Sequence, residues 1–230
     1  MPRRGSVRGG TAPTTLSDRD SRYIRTRFVA LEKISAKCGV ALGELRDWQT
    51  RGVFPGPTYV TPDHAEWYPP MLAAFVRRAL SRKTDLRALF IGDFSTALAG
   101  VRLKEPKLYR LIQQDVNMLG EDDRAVADAY WGVYMGGMYG ACLRAPWVPC
   151  IVRKSRLTAG IEELTQHPTP EDPQWGRRLR RLVDAMDTTE MPFAEWDRVR
   201  FGGPVSRDRY VIEIRKRFPN VFGATQTTES

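Results

Sequence analysis

The chain has 230 residues, of which 42% are hydrophobic, and it carries a formal net charge of +9. This length fits one domain, or a small domain beside a larger one. No apolar run approaches the roughly 20 residues of a membrane-spanning helix, so we expect no contact with a membrane. Three cysteines without metal-ligand spacing and only two histidines predict no metal site and reduced thiols in a cytoplasmic protein.

The positive charge is concentrated in the first half of the chain. Residues 1–120 contain 20 Lys and Arg against 11 Asp and Glu, whereas residues 121–230 contain 16 of each kind. This asymmetry indicates an electrostatic role for the first half and a balanced globular second half. Residues 1–18 lack the apolar stretch of a secretory signal, so we predict a disordered tail there and another at 223–230.

The sequence of the N-terminal part predicts two helices and a hairpin. Apolar spacing predicts a helix over 20–37 that ends at Gly39, and a second helix over 42–51. Gly and Pro residues end the second helix. Two short strands at 58–60 and 66–68 follow, and we predict that they pair as a hairpin.

Residues 34–55 include a Gly-Val turn, a helix with Leu-Arg and Trp, and the run Arg-Gly-Val-Phe-Pro. This pattern resembles the helix-turn-helix of MerR-type regulators. The resemblance implies that residues 19–70 form a helix-turn-helix-like unit that binds DNA through its second helix. The residues that would face the major groove are Arg46, Gln49 and Arg51. Glu44 and Asp47 lie on the same helix, so we expect weak or non-specific DNA binding.

The remainder, residues 71–222, is predicted to be a helical domain, which makes the chain all-α. Helices are predicted in two pieces over 70–100, from Pro106, over 123–143, over 150–166 and after Pro173. The helix over 123–143 is apolar nearly all round and contains several glycines at spacings of three and four. These glycines indicate either close packing of another element or the wall of a ligand pocket.

Residues 191–210 are the most unusual stretch because arginines and aspartates alternate around the bend Gly202-Gly203-Pro204. We predict that Ser206 is the N-cap of the following helix. The candidate substrate-binding residues are Arg198, Arg200, Arg207, Arg209 and Tyr210, and the candidate catalytic carboxylates are Asp197 and Asp208. Two interpretations stay open: a structural ion-pair network, or a site that binds an anion.

Arg207 and Arg209 diverge by about 200° on an ideal helix, so both cannot reach one ligand through helix geometry alone. We expect Arg207 to be the ligand arginine because it lies nearer the free N–H groups of the helix start.

The motif over 190–210, together with Pro146-Trp147-Val148-Pro149, resembles an actinobacterial protein family of undefined domain type found with natural-product and antibiotic biosynthesis genes. The chain also resembles, more distantly, the proteins that form the aziridine-containing azabicycle of azinomycin by expelling sulfate. The resemblance implies that the arginines stabilise a departing sulfate and that Asp197 or Asp208 orients or deprotonates an amine. It implies a cyclase-type or lyase-type reaction without a cofactor.

Three functions therefore remain as hypotheses. The first is a biosynthetic protein that binds an anionic small-molecule substrate. The second is a MerR-like transcriptional regulator, which alone would require DNA as a partner. The third is a non-catalytic accessory subunit that docks a second protein. No Ser/His, Cys/His, phosphate-loop or dinucleotide motif is present in the sequence, which argues against the common enzyme classes.

Overall fold

The computed structural model describes residues 16–223 and has an all-α fold, about 68% helical with one small three-stranded sheet. The N-terminal elements are α1 Asp18–Arg27, β1 Val29–Ala30, α2 Leu31–Cys38, α3 Leu42–Thr50, β2 Tyr59–Val60 and β3 Glu66–Tyr68. The following helices are α4 Leu72–Ser81, α5 Leu86–Lys104, α6 Pro106–Asp115, α7 Asp123–Met135, α8 Met138–Cys142, α9 Val148–Gln166 and α10 Pro173–Thr189. The last elements are α11 Glu195–Arg200, a π-helical segment Asp208–Ile212, α12 Glu213–Arg217 and α13 Pro219–Phe222.

The predicted helix-turn-helix and hairpin are both present. Gly39 ends α2 in the left-handed conformation with φ of 78°, which allows the chain to turn sharply into α3. The hairpin strands β2 and β3 pair antiparallel, and β1 adds to the other side of β3. The sheet thus ties α1 and α2 to the hairpin that follows α3.

The predicted single helix over 20–37 is wrong, because the structure divides it into α1 and α2. Phe28 is extended and buried, and its ring packs edge-on against Tyr59 with 4.8 Å between centroids. Val29 and Ala30 then pair with β3, and this pairing overrides the local helical spacing. Helix α1 begins at Asp18, inside the predicted tail, and residues 1–15 and 224–230 lie outside the described part of the chain.

The predicted helix over 123–143 also breaks, between α7 and α8. Gly137 has φ of 71°, and a Cβ there would lie 2.6 Å from the backbone oxygen of Pro57. A Cβ at Gly140 would lie 2.0 Å from Oγ1 of Thr58. Both glycines therefore allow the chain before β2 to pack directly on this helix pair.

One hydrophobic core crosses the predicted boundary at residue 70. Buried residues of the helix-turn-helix unit, such as Leu31 and Ile34, belong to the same cluster as Phe90 and Tyr130 of the helical body. A second cluster joins α9, α10 and the C-terminal helices around Leu179. The two predicted parts therefore share apolar contacts that stabilise both. Within residues 16–223, no helix combines the length and apolar character needed to cross a bilayer.

Candidate functional site

An open cavity of about 420 Å³ lies among α6, α7, α8, α9 and the segment that precedes α12. This volume falls in the range of small-molecule sites. The charged residues that line it are Asp115, Lys154 and Arg209. Its apolar lining includes Val116, Val133, Met138, Ile151, Phe193 and Phe201. The cavity therefore combines a largely apolar wall with a small number of charges.

Lys154 is bound tightly on one side of this cavity. Its Nζ donates to Oε1 of Glu190 and to Oγ of Ser206, each at 2.8 Å. The Lys154 side chain is 16% exposed, whereas that of Glu190 is fully buried. Burial alone would lower the pKa of Lys154, but the neighbouring Cys142 and Glu190 raise it above its ordinary value. Lys154 and Glu190 therefore form a charged pair that fixes Ser206 against α9.

A second polar group lines the cavity around the end of α6. The hydroxyl of Tyr130 lies 3.1 Å from Oγ of Ser155 and 3.5 Å from Oδ2 of Asp115. Desolvation by the surrounding protein, together with the negative charge of Glu162, raises the pKa of Asp115, although its side chain is exposed on the cavity side. The charge of Lys154 and the hydrogen bond from Tyr130 act in the opposite direction but do not cancel the shift, so the ionised form of Asp115 is only partly compensated.

Three of the four candidate arginines are held by partners within the protein. Arg198 forms a bidentate pair with Asp208, with donor–acceptor distances of 2.8 and 2.6 Å. Arg200 donates to the carbonyl oxygen of Thr58 at 2.6 Å. Arg207 pairs with the carboxylate of Asp187 on α10. Arg198 and Arg207 are therefore held in ion pairs, whereas Arg200 is held by a backbone carbonyl.

Arg209 lines the cavity and is exposed, and its guanidinium makes no hydrogen bond or ion pair within residues 16–223. Ser206 and Arg209 are three residues apart at the start of the helix, so they share one face, whereas Arg207 points towards α10. The structure thus places Arg209, rather than the expected Arg207, against the cavity. Ser206 does not cap the helix as predicted, because its hydroxyl donates to Glu190 instead.

The two candidate catalytic carboxylates have structural contacts. Asp197 is fully buried, accepts hydrogen bonds from the Tyr59 hydroxyl and the Ala194 amide, and has a pKa raised by burial. Asp208 is engaged by Arg198 and by the amide of Val205. Within the described chain, neither residue is among those that line the cavity.

Tyr210 likewise has a partner within the fold: its hydroxyl donates to Glu162 at 2.5 Å. The residues that sequence reasoning missed are Asp115, Tyr130, Lys154 and Glu190. They come from four separate helices or loops, so no local motif unites them. The nearest signal was the apolar helix over 123–143, which supplies Tyr130, Val133 and Met138 to the cavity lining, whereas its glycines do not line the cavity.

The candidate DNA-binding residues Arg46 and Gln49 lie on α3, and Arg51 directly follows its last residue. Arg46 pairs with Glu66 of the hairpin and donates to Gln49 at 3.0 Å. Gln49 donates to the hydroxyl of Tyr68 at 2.5 Å, and Arg51 pairs with Asp47 at 2.9 Å. These partners compete with any nucleic acid for the same side chains.

No cluster of three or more His, Cys, Asp or Glu residues suited to a metal ion occurs between residues 16 and 223. Comparison with known proteins gives one family match. The model of a family of unknown function, DUF6058, matches residues 86–219, which is more than half of the chain. This region contains every residue that lines the cavity and leaves out the helix-turn-helix unit. No curated protein and no solved structure matches the chain.

Proposed function

The chain belongs to DUF6058, a family of unknown function, and from the geometry of its own residues we propose that it binds an anionic small molecule in the cavity. The observation that carries this proposal is the guanidinium of Arg209, which lines the cavity without a partner among residues 16–223. An arginine in this position can form a bidentate contact with a carboxylate, sulfate or phosphate group.

The balance of charge in the cavity supports the same conclusion. Lys154 is neutralised by Glu190, so Arg209 is the cation that remains for a ligand among the residues of 16–223 that line the cavity. The apolar lining residues, such as Met138 and Phe201, would cover the organic part of the molecule. Burial of that part contributes roughly 25 cal/mol per Å² of apolar surface, while the ion pair orients it.

The resemblance to biosynthetic proteins suggests what this molecule is. We propose a natural-product intermediate in the cytoplasm, and a cyclisation that expels sulfate is the reaction that the resemblance implies. In that reaction Arg209, rather than the whole arginine cluster, would stabilise the negative charge of the leaving group. The family match carries no information on this point, since the activity of the family is unknown.

A fluorescent anion tests the binding proposal directly. The probe 8-anilinonaphthalene-1-sulfonate is apolar and carries one sulfonate, and we expect saturable binding of one molecule per chain. Arg209→Gln should weaken binding by about 10-fold or more, because a hydrogen bond to a charged group contributes roughly 1.5–3 kcal/mol. Val133→Trp, which fills the cavity, should also weaken it.

The matched control is Arg110→Gln, which removes the same charge from an exposed side chain that makes no hydrogen bond or ion pair within residues 16–223. This variant should bind the probe like the wild type. Equal affinities of the probe for the Arg110 and Arg209 variants would overturn the proposal, and so would an unchanged affinity after Val133→Trp.

DNA binding is the second candidate function, and the arrangement of α3 beside the β2–β3 hairpin supports it. The excess of positive charge in residues 1–120 would favour binding to DNA of any sequence. A gel shift with the upstream region of the protein's own gene, in a series of salt concentrations, tests it. Tight and sequence-specific binding that Arg46→Ala removes would favour a regulator, whereas equal weak binding to any duplex would indicate only a basic surface.

A further inference from the structure

The carboxylate of Asp115 lines the cavity and forms no ion pair with any basic residue in the described part of the chain. It is the last residue of α6, and its nearest hydrogen-bonding neighbour is the hydroxyl of Tyr130 at 3.5 Å. No lysine or arginine of residues 16–223 forms an ion pair with it. Lys154 lies close enough for its charge to act on Asp115, but its Nζ is already bound to Glu190 and Ser206.

A second carboxylate increases the negative charge at this end of the cavity. Glu162 lies one helical turn after the cavity residue Thr158 on α9, and its Oε1 accepts from Tyr210 at 2.5 Å. Glu162 also has no ion pair with a basic residue in the described chain. Desolvation and the charge of Glu162 together raise the pKa of Asp115, and they outweigh the opposing effects of the Lys154 charge and the Tyr130 hydrogen bond.

Among residues 16–223, the cavity therefore has an anion without an ion-pair partner on α6, and a cation without one in the π-helical segment Asp208–Ile212. We infer that its ligand carries two opposite charges, with an anionic group bound to Arg209 and a protonated amine bound to Asp115. This inference rests on the proposed function, because it assigns a second charge to the same ligand.

The groups around Asp115 suit an ammonium ion better than a metal ion. An ammonium has three N–H donors, and the carboxylate of Asp115 and the hydroxyls of Tyr130 and Ser155 can all accept from it. A metal ion would need several carboxylate, imidazole or thiolate ligands, and no such group of three occurs in residues 16–223. The apolar lining between the two charged points would cover the carbon skeleton that joins them.

Competition with the bound fluorescent probe tests this inference. The competitors are octanoate, octylamine and 8-aminooctanoate, with the 6-carbon and 12-carbon pairs of acid and amino acid included to vary the distance between charges. For at least one length, we expect the amino acid to displace the probe at about a 10-fold lower concentration than its parent acid. An apolar cavity alone would favour the parent acid, because the amine adds only polar surface.

Asp115→Asn should abolish the advantage of the amino acid while octanoate binds at least as tightly as to the wild type. The control Glu171→Gln removes a carboxylate from an exposed position and should keep the advantage. Ser155→Ala provides a second test if Asp115→Asn is poorly folded, since it removes one acceptor for the amine and should reduce the advantage.

The two possible failures are distinguishable. If octanoate binds through Arg209 and no amino acid of any length exceeds its parent acid, the inference is overturned while the proposed function stands. An amino-acid advantage that persists unchanged in Asp115→Asn would also overturn it. If neither the probe nor octanoate responds to Arg209→Gln, the proposed function itself fails.

Discussion

The hydroxyl of Tyr59 donates to Oδ2 of Asp197 at 2.8 Å, across a separation of 138 residues. Tyr59 belongs to the hairpin of the helix-turn-helix unit, and Asp197 belongs to α11. Arg200 adds a bond to the carbonyl of Thr58, and Asp20 of α1 accepts from the amide of Glu195 at 3.0 Å. The arginine-rich segment, residues 191–210, therefore joins the N-terminal unit to the helical body, and Asp197 is a structural residue.

Tyr59→Phe should lower the free energy of unfolding by about 1–3 kcal/mol, because the buried carboxylate of Asp197 loses a donor. Urea denaturation followed by circular dichroism measures the change. Tyr134→Phe is the matched control, since the Tyr134 hydroxyl has no hydrogen-bond partner within residues 16–223. If both substitutions lower the free energy of unfolding equally, the hydrogen bond between Tyr59 and Asp197 contributes nothing specific to stability.

The pH dependence of stability should carry the signature of Asp197. Burial raises its folded-state pKa above the ordinary value of 3.8. The folded protein thus holds this proton more tightly than the unfolded chain, and the associated stability is lost as the pH rises from the unfolded pKa through the folded pKa.

Asp197→Asn cannot titrate, so it isolates this effect. The free energy of unfolding of the wild type minus that of the variant should decrease as the pH is raised through this acid range, and should then stay constant. Urea titrations from pH 4 to 7 measure it. A difference that increases with pH would mean that the hydrogen bonds from Tyr59 and Ala194 outweigh desolvation.

Arg207 and Arg209 should separate stability from ligand binding. Arg207→Gln leaves Asp187 with one basic partner fewer, and we expect it to lower the free energy of unfolding by about 1–3 kcal/mol. Arg209→Gln should change stability by less than about 0.5 kcal/mol, because its side chain is exposed. Thermal melts compare the two variants, and the opposite order of stability would show that Arg209 has the structural role.

The pair of Lys154 and Glu190 should show strong coupling. Lys154→Met leaves a fully buried carboxylate without its cation, and we expect a loss of about 3–5 kcal/mol. Replacing Glu190 with Met at the same time removes the unpaired charge, so the double variant should be more stable than Lys154→Met alone. A double-mutant cycle in urea measures the coupling, and additive losses would refute it.

The cysteines should differ in their reaction with thiol reagents. Burial raises the pKa of the Cys142 thiol, and Cys38 is also buried, whereas Cys150 is partly exposed. We expect 5,5′-dithiobis(2-nitrobenzoate) to modify Cys150 first at pH 8, because the thiolate is the reactive form. Mass spectrometry of peptides identifies the site, and Cys150→Ser should remove the fast phase. Rapid modification of Cys142 in that variant would mean that the cavity opens widely to solvent.

Elements that depend on neighbouring residues were predictable from the sequence. The turn at Gly39, the hairpin and the helix that starts at Pro106 follow from glycine conformation, apolar alternation and the fixed φ of proline. The all-α class follows in the same way from apolar spacing at helical period. Where a distant partner intervened, as at Phe28 and Gly137, the predicted helices were broken.

The helical class, the helix-turn-helix unit and the unusual character of residues 191–210 thus follow from the order of the amino acids. Which of the arginines in 191–210 faces a cavity, and which are held by aspartates, depends instead on how the helices pack. An ion pair depends on the distance in space between the two charges. Arg207 comes within reach of Asp187 because α10 packs against the elements that follow residue 207, whereas Arg209 reaches no acidic residue of 16–223. Two further contacts depend in the same way on how separate helices pack: that of Asp115 with Tyr130 and that of Lys154 with Glu190.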